Sequence, residues 1–84
     1  MTPDKIEEYI EKKERKNIVV NIHFKDRNMV TGMFIQGNDY EELKSKNFWR
    51  IVSHPRLAEW KETKNSELVR IYSGMAFTRL SDSK

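Results

Sequence analysis

The stretch Ile18-Val19-Val20-Asn21-Ile22-His23-Phe24-Lys25-Asp26-Arg27-Asn28-Met29-Val30-Thr31-Gly32-Met33-Phe34-Ile35 decides the fold. Up to Phe24 it alternates. Val20, Ile22 and Phe24 share one face, and Val19, Asn21 and His23 share the other, which is the two-residue period of a half-buried strand. Lys25 to Asn28 is a polar turn. Met29 to Ile35 is the return strand, with Val30 and Phe34 on one face. A glycine inside a strand marks a bend, a bulge or a close backbone approach. Gly32 therefore places the bend of a sheet that must curl.

Before the hairpin, Thr2-Pro3-Asp4 is a helix start, with a capping hydroxyl, a proline in the first turn and an acid at the positive end of the dipole. Ile6, Tyr9 and Ile10 follow at helical spacing as a narrow apolar stripe. Glu8 with Lys12 and Glu11 with Arg15 are favourable pairs four apart. The helix is expected over about residues 3–15, with Asn17 as its stop.

After the hairpin, Gly37-Asn38-Asp39 leads into one helical turn, Tyr40 to Lys44, with Asn38 and Glu41, or Asp39 and Glu42, at capping-box spacing. Phe48 to Val52 reads as a third strand. Leu57 to Glu62 is ambiguous. Leu57 and Trp60 fit one helical face behind Pro55, while a loose alternation fits a strand, and the strand reading is preferred. Leu68 to Tyr72 is a strand, Ser73-Gly74 breaks it, and Met75 to Leu80 closes the fold. Residues 81–84 are expected to fray. The core is expected from Val20, Ile22, Phe24, Val30, Phe34, Ile51, Val69, Ile71 and Phe77.

The 84 residues suit one domain, 1–84, with a β-rich body over about 18–80. Nine aromatics (two Trp, three Tyr and four Phe) argue against disorder. Without cysteine there is neither a disulfide framework nor a thiolate metal site. No apolar run approaches the roughly 20 residues of a membrane span. The first residues lack a signal-type apolar stretch, so a cytoplasmic location is expected. The net charge of +3 is a small surplus of mixed charges. Its local concentrations, Lys12, Lys13, Arg15 and Lys16, then Lys44 and Lys46, are interleaved with acids or polar residues and read as solvated surface.

Two motifs carry a resemblance. The first is Val20-x-Ile22-x-Phe24-Lys25-Asp26, then Val30-x-Gly32-x-Phe34. The second is Leu68 to Tyr72, Gly74, Phe77 and Leu80. Together with the leading helix they resemble the Sm-like superfamily, the small bent barrels of RNA-associated Sm proteins and the bacterial Hfq chaperone. The resemblance covers roughly residues 6–39 and 67–80. It implies an α+β, mainly β fold: an N-terminal helix followed by a strongly bent antiparallel sheet or a small SH3-like or Sm-like barrel. It also implies homo-oligomerisation by pairing of the fourth and fifth strands, here residues 68–72 and 75–80. Its nucleotide-binding chemistry is less well matched. Ser73 stands where the family has a basic residue. Tyr40-Glu41-Glu42 is acidic where a phosphate would approach, and the Hfq-type Lys-His pair is absent.

The remaining residues point away from catalysis. His23 and His54 have no partners at metal-ligand spacing and read as structural or surface histidines. The acid pairs Glu7-Glu8 and Glu41-Glu42 read as helix surface. The three glycines are scattered and form no phosphate loop. A non-enzymatic module without cofactor or metal is expected. Trp49, Trp60, Phe48, Tyr40 and Tyr72 read first as core. If some are exposed, Trp49, Trp60 and Arg50 would form a protein-facing surface. The alternative is an RNA or single-stranded DNA surface made of Lys25, Arg27, Arg50 and Arg70.

Overall fold

The computed structural model describes residues 1–11 and 19–82. Helix α1 is Pro3–Ile10. The Thr2 hydroxyl accepts from the Lys5 amide at 3.4 Å, and Pro3 occupies the first turn, where its missing N–H is no loss. Glu11 caps the helix, and the rest of the expected span, residues 12–15, lies outside the described residues. Lys12 to Ile18, including the basic cluster and the expected stop at Asn17, lie outside the described residues.

Strands β1 (Val20–Phe24) and β2 (Val30–Ile35) form the expected hairpin, with Ile22 opposite Val30 and Val20 opposite Gly32. Helix α2 is Tyr40–Ser45, followed by β3 (Phe48–Ser53), α3 (His54–Thr63), β4 (Arg70–Ser73) and β5 (Phe77–Asp82). Short 3₁₀ turns precede β4 (Ser66–Leu68) and join it to β5 (Gly74–Ala76). The sheet order is β4-β3-β2-β1-β5, and every neighbouring pair is antiparallel. The fold is thus a helix and a five-stranded antiparallel sheet that does not close, as the α+β, mainly β expectation requires.

The sheet is strongly bent. Strands β1 and β4 are three positions apart, about 14 Å in a flat sheet. Yet the Phe24 and Tyr72 rings meet at 5.7 Å between centroids. Their side chains close across the concave face, and Phe77 stands edge-on to Phe24 at 5.2 Å. Gly32 permits part of the bend, because a Cβ there would come within 2.9 Å of the Ile51 side chain and into the Val52 carbonyl.

Each face has its own core. On the concave face Ile6 and Ile10 of α1 plug the bend over Val20, Ile22, Phe34, Trp49, Ile51, Phe77 and Leu80. On the convex face Leu57 of α3 covers Met33 and Val52, with Val19, Ile35, Trp60 and Val69 around them. At about 25 cal/mol per Å² of apolar burial, these two layers hold most of the driving force for folding.

Four expectations are corrected. Leu57 to Glu62 belongs to a helix, not a strand. Ser53 is its N-cap, Pro55 sits in the first turn, and one side, Leu57 and Trp60, is enough to dock it. Ser81 and Asp82 are not frayed: they pair with Asn21 and Val20, because the 3₁₀ turn delays β5 by two residues. Ile71 is not core. It lies on the convex side of the marginal strand β4, beyond the cover of α3, and is 50% exposed. The capping boxes at α2 do not form. Its N-cap, Asp39, makes no side-chain capping bond, because its carboxylate is held by Arg50.

Candidate functional site

The six candidate residues do not form one surface. Trp49 is buried, 2% exposed, on the concave face. Its ring stands edge-on to Phe34 and Tyr40, each at 6.0 Å, and its indole N–H donates to Asn47 Oδ1 at 2.8 Å. Its expected place on a protein-facing surface is therefore corrected, because strand alternation turns Trp49 inward and its neighbour Arg50 outward. Trp60 is half-buried on α3, with the Lys64 ammonium 4.0 Å from its ring centre. Trp60 belongs to the α3 packing, so the set Trp49, Trp60 and Arg50 is not assembled. Lys25 is exposed, and its amide donates to the Ala76 carbonyl at 3.0 Å, tying the β1–β2 turn to the β4–β5 connection.

Three arginines do come together. Arg27, Arg50 and Arg70 line one open depression of about 550 Å³ with Val69, Ile71 and Tyr72. Each arrives by a different route. Arg27 is in the turn after β1, its guanidinium 5.3 Å from the centre of the Phe24 ring. The bend that brings Phe24 to Tyr72 carries Arg27 towards β4 as well. Arg70 is on β4 opposite Ile51, and Arg50 is on β3 opposite Ile71. Periodicity along the sequence could not bring them together, because the closure between β1 and β4 is a property of sheet curvature.

The electrostatics of the three differ. Arg50 is satisfied: its Nε and Nη2 donate to the two oxygens of Asp39 at 3.2 and 2.7 Å. This forked bond holds the Asp39 carboxyl below its usual range and pushes Arg50 up. Arg27 and Arg70 are exposed, and no acid is among the described residues that line the depression. On the opposite side, acids are engaged in structure. Glu7 and Glu41 both take Lys44, and the Tyr40 hydroxyl donates to Glu11 at 2.6 Å. Burial first, then the Glu11 carboxylate, pushes the Tyr40 phenol up. These bonds fasten α2 to α1.

The sheet's two margins are the other feature. Among the described residues, strand β4 pairs only with β3, and β5 only with β1. Of the spans 68–72 and 75–80, expected as oligomer edges, residues 70–72 and 77–80 fall on marginal strands at opposite ends of the order, while Leu68, Met75 and Ala76 lie in the 3₁₀ turns. His23 meets the Ser81 hydroxyl at 3.1 Å on the convex face, and His54 is exposed at the start of α3. Among the described residues no three His, Cys, Asp or Glu side chains gather as a metal site, and no helix is long and apolar enough to cross a membrane. In comparisons with known proteins, no family model, no curated protein and no solved structure matches this chain.

Proposed function

We propose that this is a non-catalytic interaction module that works by strand addition at its sheet margins. The added strand comes either from another copy, β4 onto β5, or from another protein. One observation carries the reading. Among the described residues β4 pairs with β3 alone and β5 with β1 alone, and neither strand contains the proline that natural edges use as a guard. Ile71, half exposed on β4, and Phe48, 39% exposed beside it on β3, add apolar surface along that margin. The Sm-like resemblance supports pairing between copies, since it implies a fourth strand meeting a fifth.

A second reading is favoured by the arginine depression: an Sm-like protein binding RNA or single-stranded DNA, with Arg27 and Arg70 on phosphates and Tyr72 against a base. Salt separates the two, because phosphate-driven binding weakens steeply as salt rises and an apolar strand interface responds little.

Size exclusion with light scattering, at 260 and 280 nm, tests both. Pairing between copies predicts concentration-dependent assembly that Ile71→Lys abolishes while the fold, followed by circular dichroism, is kept. Excess absorbance at 260 nm would support the nucleic-acid reading instead. A monomer at every concentration would remove self-pairing and leave addition of a foreign strand.

A further inference from the structure

The β4 margin is chemically two-sided. On its concave side are Arg70 and Tyr72, opposite Ile51 and Trp49 in the register. On its convex side are Ile71, opposite Arg50, and Val69, packed at the rim of the α3 core. Arg27 reaches the concave side from the β1–β2 turn. Asp39 pairs with Arg50, and among the described residues Arg27 and Arg70 stand beside a strand whose outer edge has no strand partner. The apolar Val69 and Ile71 thus alternate with the polar-tipped Arg70 and Tyr72.

We infer that the β4 margin is the docking site for an extended acidic segment of another protein. Its backbone pairs with β4, its acidic side chains face Arg27 and Arg70, and its alternate apolar side chains lie over Val69 and Ile71. The inference rests on the strand-addition reading and names the partner's chemistry. A polynucleotide fits less well. Phosphates only accept hydrogen bonds, whereas a strand edge presents donors and acceptors in turn, and Val69 and Ile71 offer a phosphate nothing. A second copy also fits less well. Strand β5 brings Arg79 as well as Asp82, so it offers this margin no net negative charge, and Asp82 already accepts from the Tyr9 hydroxyl.

The test uses three labelled probes: a ten-residue peptide alternating Glu and Val, its Lys-Val counterpart, and a single-stranded oligonucleotide of equal charge to the first. Binding is read by fluorescence anisotropy, and the contact by hydrogen exchange at the amides of residues 70–73. The acidic peptide is expected to bind and slow exchange there, and the lysine peptide is expected not to bind. Arg70→Glu should weaken binding at least tenfold, and Arg27→Glu should do the same. Ile71→Asp should weaken it while circular dichroism stays unchanged. If both peptides protect β4 equally, the acidic preference is wrong and strand addition stands. If the chain self-associates with β4 protected but ignores the acidic peptide, the foreign partner is wrong and the broader reading stands. Binding of the oligonucleotide alone, or no protection of β4 by any probe or copy, overturns both.

Discussion

The amide of Gly74 donates to the carbonyl of Asn47 at 2.8 Å, and no side chain fits between these two residues. A Cβ on Gly74 would run into the Asn47 side chain and within 2.6 Å of Ile6 Cδ1. The backbone angle of Gly74 is not positive, so the requirement is space and not conformation. Asn47 in turn accepts from the Trp49 indole and donates to the Met1 carbonyl at 3.0 Å. The Met1 amine reaches the Gly74 and Phe77 carbonyls at 2.9 and 2.8 Å. One buried amide thus joins the first residue, the α2–β3 turn and the crossing from β4 to β5.

Gly74→Ala should destabilise the protein by about 1–3 kcal/mol, because Ile6 is fully buried and has nowhere to move. Urea unfolding followed by circular dichroism measures it. A variant as stable as the parent would show that the crossing can shift away from Asn47.

Asn47 has a positive φ of 61°, which few residues other than glycine and asparagine adopt readily. Asn47→Ala should lose about 2–3 kcal/mol, through backbone strain and through the unpaired indole of Trp49. Asn47→Gly should recover roughly 1 kcal/mol of that by relieving the backbone alone. Equal losses in the two variants would assign the whole cost to the hydrogen bonds.

The two tryptophans should separate cleanly. Trp49→Ala should cost about 3–5 kcal/mol, the loss expected of a large buried aromatic. Trp60→Ala should cost about half as much, since Trp60 is partly exposed. Acrylamide should quench the fluorescence of Trp60→Phe, which retains Trp49, far less than that of Trp49→Phe. Strong quenching of the buried ring would contradict its place in the core.

Acid should weaken the fold through Asp39 and Glu7. Arg50 holds the Asp39 carboxyl below its usual 3.8, and Lys44 holds that of Glu7 below 4.5. Depressed carboxyls contribute stability that is present above their unfolded values and lost as pH falls through the folded ones. Unfolding free energy should therefore fall below about pH 4, and Arg50→Gln should make that fall shallower by removing the Asp39 share. An unchanged slope would mean that the pair is no stronger in the folded chain than in the unfolded one.

How much of this was legible in the sequence differs by element. The β1–β2 hairpin was clear, since alternation from Val20 to Phe24 and again around Phe34 has no helical reading. The Thr2-Pro3 start of α1 was equally clear. Helix α3 was not, because only Leu57 of its ten residues is buried, too narrow a stripe to outweigh a loose alternation. Ile71 misled because alternation assigns a face but not whether anything covers it. Of the site, the residue types of Arg27, Arg50 and Arg70 were visible. Their meeting was not, since it depends on the contact of Phe24 with Tyr72 across the bend. The role of Asn47 left no mark in the sequence beyond a tolerance for positive φ.

The pairing of β1 with β5 also sets an order of events. Strands β1 to β4 each meet their neighbour in the chain, whereas β5 returns to the first strand, Val20 to Asp82. Closing so long a loop is slow compared with zipping a hairpin. The four-strand meander can assemble early, but it waits with the flank of Val20 and Ile22 bare until β5 arrives. During synthesis that wait lasts until residues 77–82 have left the ribosome. The species to guard against aggregation is therefore this incomplete sheet, and crowding by nascent copies endangers it more than it endangers the finished protein.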